Sequence, residues 1–382
     1  MTLSTQTTNT IKRLNRVATD LKLLFSRRDT AVDLMKLALL CHEHVLLLGP
    51  PGSGKSELVS RFARGVKARS FQYLLTRFTE PAELFGPVDI QEFQKGRYHV
   101  RTEGMLPEAQ IAFLDEVFQA SSAILNTLLS LVHERIFYNG AELQPVPLLA
   151  LFGASNTLPD DPTLRAFSDR FALRLEIEPI PDESLGDMLE KGWDLELERI
   201  NPAVNQGQAL LDPQQLELLY KELAHIGIGG VLSQYQEMIR RLRAEGVQLT
   251  ERRMVKGLKL IRGAALLDGR SEANVRDLWP LNHMWNNPED VPILRQVVQP
   301  LVEEAGGPAL DTHRLLEDLV EELELLEGRA PALTGEGAFT VHLSSLAQIR
   351  RELLLYHVDA KELLQRVERL IQQQLEAMRA VG

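Results

Sequence analysis

Val45-Leu-Leu-Leu-Gly-Pro-Pro-Gly-Ser-Gly-Lys-Ser56 is the stretch from which the fold can be read. Its first four residues form a solid apolar run, the pattern of a strand buried on both faces of a parallel sheet. The remainder matches G-x-x-x-x-G-K-[ST] and leads directly into a helix-like segment, Lys55 to Lys67. Glycines allow such a loop to wrap closely around a phosphate chain. Its consecutive amides, with the helix N-terminus, supply partial positive charge where a β-phosphate would lie. Lys55 adds a full charge between the β- and γ-phosphates, and Ser56 offers a hydroxyl to Mg²⁺. Gly49, Pro50, Pro51, Gly52, Ser53, Gly54, Lys55, Ser56 and Glu57 are the predicted nucleotide-binding residues.

Further apolar runs of the same kind occur at Phe71 to Leu75, Ile111 to Leu114, Leu148 to Gly153 and Phe171 to Ile177. Helix-like segments separate them, notably Ala120 to Glu134, so strand and helix alternate as in a doubly wound α/β domain over residues 1–180. Pro179-Ile-Pro181 marks its end, because two prolines one residue apart fit neither a helix interior nor a central strand. Residues 181–290 read as an all-α unit. Residues 291–382 read as a helical hairpin, with Leu315, Leu319, Leu323 and Leu326 on one arm and Leu346, Ile349, Leu353, Leu363, Val367, Ile371 and Met378 on the other. Gly328 to Gly337 is the predicted turn.

A phosphate loop alone suits a kinase, a GTPase or a motor. Sixty residues after Lys55, the strand Ile111-Ala-Phe-Leu ends in Asp115-Glu116. Adjacent side chains at a strand end diverge, so the two acids can hold separate roles. Asp115 is placed to ligate Mg²⁺ through its water shell and Glu116 to polarise the attacking water. Leu148-Leu-Ala-Leu-Phe-Gly-Ala-Ser-Asn156 ends in an amide that can hold that water or the γ-phosphate. No Asn/Thr-Lys-x-Asp motif is present, which disfavours GTP.

Composition narrows the classes. The 382 residues are 44% hydrophobic and 25% charged, as in soluble globular proteins. Forty-two Lys plus Arg against 53 Asp plus Glu leave a formal charge of -11, which argues against a surface built to attract nucleic acid or anionic lipid. The single cysteine, Cys41, permits neither an intramolecular disulfide nor a thiolate metal cluster. The polar start and the absence of any apolar run near 20 residues point to a cytoplasmic location without a membrane span.

Gly49 to Ser56, Phe113-Leu-Asp-Glu116, Gly153-Ala-Ser-Asn156, Ser168-Asp-Arg170-Phe171 and Thr250-Glu-Arg252-Arg253, in this order, resemble an AAA+ ATPase of the MoxR branch, with RavA-type members the nearest likeness. The resemblance spans residues 1 to about 290 and includes Tyr73 to Phe78, Glu83 to Pro87, Ile124 to Leu129 and His133-Glu-Arg135. It implies an α/β fold in which the AAA+ parallel-sheet domain is followed by an all-α lid. It also implies ATP/ADP and Mg²⁺ as ligands, Asn156 as sensor 1 and Arg252 as sensor 2. Arg170 matches the arginine finger that reaches a neighbouring subunit's nucleotide, with Arg165 as a competitor. The implied assembly is a homo-oligomer, most simply a hexameric ring, that remodels a protein client together with a von Willebrand factor A (VWA) protein carrying a metal-dependent adhesion site.

Several features stay open in the sequence. Residues 240–262 carry eight basic residues against Glu245 and Glu251, which suits a lid over a triphosphate, a solvated face or a nucleic-acid groove. Gln94 to Thr102 reads as a hairpin around Lys95-Gly96, in the place of the family's helix-2 insert, and Asn139-Gly140 as a second hairpin in the place of its pre-sensor insertion. Phe93 and Tyr98 could grip a client or pack the insert. The chain ends soon after the helical hairpin, without the small β-rich insertion of RavA, so contacts made through that insertion do not carry over. The alternatives to a remodeller are a nucleic-acid-stimulated motor and an ATP-dependent assembly switch or scaffold with little turnover.

Overall fold

The computed structural model describes residues 3–159, 161–201 and 211–308, and from the C-terminal stretch 319–320, 323–324, 326–327, 342–343, 346–347, 349–350, 353 and 360–381. Seven strands are present among them: β1 (Val45–Leu48), β2 (Ser70–Leu74), β3 (Ile111–Asp115), β4 (Ile136–Asn139), β5 (Glu142–Pro145), β6 (Ala150–Ser155) and β7 (Leu173–Glu176). Five form a wholly parallel sheet in the order β2-β3-β6-β1-β7. All four residues of β1 and all six of β6 are buried, as their uninterrupted apolar runs require. β2 lies at the edge, and its residues alternate between exposed and half-buried, so Phe71 to Leu75 is not a strand covered on both faces.

The sheet is flanked by α1 (Thr5–Leu24), α2 (Asp29–Cys41), α3 (Lys55–Gly65) and α6 (Ser122–His133); α4 (Pro81–Phe85), α5 (Ile90–Gln94) and α7 (Pro162–Ser168) are short. Ser4 caps α1 and Ser121 caps α6, each side chain accepting a first-turn amide. The stretch from Gln94 to Thr102 is not a regular hairpin. Asp89 caps the amides of Gln91 and Glu92 and starts α5, and the chain then closes through one antiparallel bridge, Val88 to Val100. β4 and β5 form the second expected hairpin, turning at Gly140 with φ +64°.

Beyond Pro181 the described chain is helical: α8 (Leu185–Ile200), α9 (Pro213–Glu222), α10 (Leu232–Ala244), α11 (Glu251–Leu267), a 3-10 stretch at Val275–His283, and α12 (Asp290–Glu304). α12 packs on that stretch, α11 packs on α2, and α9 packs on α1 and α2. α2 is therefore enclosed between sheet and helical unit, and Leu34, Met35, Leu37 and Leu39 are fully buried. Three residues of the basic stretch enter this joint. Lys256 and Lys259 pair with the buried Glu43 and Arg253 pairs with Asp169, while Arg262 Nε donates to Ile226 O at 3.0 Å within the helical unit.

Leu319, Leu323, Leu326, Leu346, Ile349, Leu353, Val367 and Leu370 form an apolar cluster separate from the main core, with α13 (Lys361–Val381) contributing its last two members. The predicted turn at residues 328–337 and Leu315 lie outside the described residues. No helix among the described residues is long and apolar enough to cross a membrane.

Candidate nucleotide site

In a parallel sheet every strand ends at the same edge, and the crevice beyond the carboxyl ends is where ligands bind. The phosphate loop leaves β1 at that edge. The Gly49 amide donates to Ser155 O at 3.0 Å, and Leu48 is in register with Ser155. A Cβ on Gly49 would lie 2.4 Å from Ile177 O, so no larger residue fits there. Gly52 and Gly54 both hold φ +80°, a left-handed turn that delivers Gly54 as the N-cap of α3. The open amides of the first turn of α3 face an anion-binding position.

Lys55 is buried and folds onto its own loop. Its Nζ donates to Gly49 O at 2.9 Å, Pro50 O at 2.8 Å and Ser53 Oγ at 3.2 Å. Burial holds its pKa below that of an ordinary lysine, Asp115 and Glu116 oppose that shift, and Arg28 adds to it. The acid that ends β3 and the one that follows it thus both act on the loop lysine. Asp115 ends the strand, and Glu116 takes the left-handed conformation at φ 50° with its amide donating to Asp115 Oδ1 at 3.1 Å. A left-handed non-glycine residue costs on the order of 1 kcal/mol, a strain that clusters at functional turns. Asn156 is exposed and follows β6 by one residue, beside the start of the phosphate loop. The half-buried Ser56 and Asp115 are oxygen donors of the kind a hard divalent cation takes.

The loop opens into a cleft of about 580 Å³. Its far wall combines Phe25 and Arg28, between α1 and α2, with Ile180 and with Leu185, Met188 and Leu195 of α8. No motif marks these residues in the sequence, because they come from three separate segments and carry a mostly apolar surface. Arg28 Nη2 donates to Ser53 O at 3.3 Å. Glu57 lies on the rim, held by Arg61 at 2.6 Å and Arg199 at 3.1 Å, and Arg61 also reaches Glu198 at 2.6 Å. These pairs tie α8 to the loop helix.

Arg170 and Arg252 lie elsewhere. β7 runs parallel to β1, and Leu173 at its start pairs with Val45 at the start of β1. Arg170 precedes that start, so it lies at the amino edge of the sheet, whereas the loop lies at the carboxyl edge. The four residues of β1 separate the two edges by at least about 13 Å. Arg252 is near Arg170. Burial and then Arg252 lower the Arg170 pKa, while burial, Arg252 and Arg170 together lower that of His133. Arg165 is exposed on α7. Asp169 pairs with Arg253 rather than with Arg170. The predicted site therefore divides into a loop half, with Lys55, Ser56, Asp115, Glu116 and Asn156, and an arginine half at the opposite edge.

The comparisons with known proteins agree with this architecture. Residues 12–219, just over half of the chain, match the family described as the MoxR domain in the MoxR-vWA-beta-propeller ternary systems, and residues 231–298 match an AAA lid domain. Two uncharacterized proteins of Methanocaldococcus jannaschii are 36% and 34% identical to the chain. The first match covers 81% of this chain and 82% of its relative, and the second 82% and 81%. The Mycobacterium tuberculosis chaperone MoxR1 is 28% identical over 45% of this chain and 46% of its own. A crystal structure of an ATPase candidate from Cytophaga hutchinsonii shares the fold at 16% identity, with a TM-score of 0.63 over 78% of this chain and 96% of its own. These matches support the MoxR branch and give no support to RavA-type members in particular. With its phosphate loop, acidic strand end and helical lid, the chain belongs to the MoxR family of AAA+ ATPases.

Proposed function

We propose that the protein hydrolyses ATP at the seam between protomers of a ring, most simply a hexamer, and uses the cycle to remodel a protein client together with a VWA-domain partner. The division of the site supports this reading most directly. Arg170 and Arg252 are separated by the sheet from their own phosphate loop, and in a head-to-tail ring a neighbour supplies them.

In this scheme Lys55 exchanges the carbonyls of Gly49 and Pro50 for the β- and γ-phosphates, and the first-turn amides of α3 hold the β-phosphate. Ser56 and Asp115 would hold Mg²⁺, which when bound neutralises charge on the β- and γ-oxygens. Glu116 takes a proton from the attacking water that Asn156 orients. Arg170 and Arg252 of the neighbour stabilise charge on the transferring phosphoryl group. The mostly apolar wall at Phe25, Ile180, Met188 and Leu195 suits a purine ring.

The family description, with its vWA and β-propeller systems, supports a VWA partner, and the likeness to the chaperone MoxR1 supports a protein client. Ile90, Phe93, Tyr98, Tyr138 and Leu143 are all exposed, so the aromatic residues of the two inserts do not merely pack them. They offer an apolar surface for a client. A nucleic-acid motor is less well supported, because three of the eight basic residues in 240–262 are spent in the lid joint and Arg262 is held within the lid. Specific ATPase activity per protomer should rise with protein concentration as rings assemble. A constant specific activity under dilution, with only monomer present, would contradict the seam.

A further inference from the structure

One helix of the lid grips three consecutive residues, Asp169 to Phe171, with Arg170 in the middle. Arg253 Nε donates to Asp169 Oδ1 at 3.1 Å, Lys256 Nζ donates to Arg170 O at 3.3 Å, and Arg253 Nη2 donates to Phe171 O at 3.1 Å. Arg253 Nη1 reaches Met284 O and Trp285 O, both at 2.8 Å. The Arg253 side chain is 0% exposed, against 27% for Asp169. A guanidinium removed from water is costly unless its acceptors are fixed, so its surroundings are rigidly specified. Lys256 also contacts Glu43 at 2.7 Å, two residues before β1, whose other end carries the phosphate loop. Arg170 itself takes no part in the grip through its side chain, and its buried Nε has no hydrogen-bond partner.

We infer that Arg253 and Asp169 are positioning residues for the seam. They fix the 168–171 turn to the lid helix that carries Arg252, so that Arg170 and Arg252 are presented to the neighbouring nucleotide as one unit. The inference rests on the seam reading and adds that the finger follows the lid. A lid displaced by its own nucleotide state would move the finger offered to the next protomer.

The test uses the full chain with Asp169→Asn, which keeps the shape of the side chain and removes its charge. Misplacement of a reacting group by about 1 Å costs about 10²-fold, so kcat should fall by that order while ATP affinity and KM stay near wild type. Mixing with Lys55→Ala subunits, whose own 168–171 turn is intact, should restore turnover, whereas mixing with Arg170→Ala subunits should not. Asp169→Glu should recover part of kcat. Arg253→Lys, which keeps the charge but cannot span both Asp169 and Phe171, serves as the second variant if Asp169→Asn does not fold. Wild-type kcat in a folded variant overturns the inference. So does a loss that Lys55→Ala subunits fail to restore although they restore Arg170→Ala, and in that case the seam itself stands. Full turnover in Arg170→Ala would remove both.

Discussion

Arg253 Nε lies 3.1 Å from Asp169 Oδ1, and this contact separates the roles of two adjacent arginines. Successive residues on a helix point about 100° apart. With Arg253 directed fully into the joint between lid and sheet domain, Arg252 is left half-buried at its margin, next to Arg170. The helix places one arginine as a structural anchor, and the proposed seam uses the other.

Lys55→Ala removes the one full positive charge inside the phosphate loop. A hydrogen bond to a charged group contributes about 1.5–3 kcal/mol, so ATP affinity should fall by roughly 10- to 100-fold. Titration calorimetry with Mg-ATP measures this, and unchanged affinity would show that the loop does not hold the phosphates.

Glu116→Gln keeps the shape of the side chain and loses the base. ATP binding should persist while turnover falls by about 10²- to 10⁴-fold. Single-turnover assays distinguish this from slow product release, and a variant that hydrolyses normally would pass the role of base to another group.

Gly49→Ala should destabilise the fold even without nucleotide. Its Cβ would meet Ile177 O at 2.4 Å, and forced overpacking of this kind costs about 1–3 kcal/mol. Urea unfolding of the ligand-free protein should show a lower midpoint, and an unaltered midpoint would place the loop differently.

Acid should unfold the protein through His42, His44 and His283. His44 is fully enclosed, with Nε2 3.1 Å from Val132 O and Nδ1 accepting the Leu151 amide at 3.0 Å. Burial first, then the Arg135 charge, holds its pKa well below 6.5. His42 is lowered to about 3 by burial, Arg135 and Lys259, and His283 to about 3 by burial and Arg295. The unfolded chain therefore binds more protons than the folded one below the ordinary histidine pKa, and stability is lost as pH falls from about 6.5 towards 3. Unfolding at pH 5 should take up about two protons through His42 and His283, and His44 adds to that uptake. The slope of stability against pH measures that uptake, and a flat profile between pH 7 and 5 would contradict their neutral state in the fold.

The loop half of the site was legible because its residues are contiguous and punctuated. A solid strand, a glycine turn and a helix start fall within Val45 to Ser56, and β1 begins and ends where the apolar run does. The acidic strand end and the Asn156 strand were legible for the same reason. Phe25, Arg28, Ile180 and Leu195 were not, since ordinary apolar and basic residues meet in the cleft only through tertiary folding. The role of Arg253 was hidden by its neighbour, because a family motif marks position 252 and periodicity cannot show which face of α11 meets Asp169. The hairpin expected at Gln94 to Thr102 does not form as such, because the helix that Asp89 caps starts outside that window.

Mixing Arg170→Ala with Lys55→Ala subunits tests the shared site most directly. Each variant alone should hydrolyse ATP negligibly, and the mixture should regain turnover, because intact loops of one then meet intact arginines of the other. A mixture no more active than the sum of its parts, with ring assembly verified, would contradict a nucleotide site completed by the neighbouring protomer.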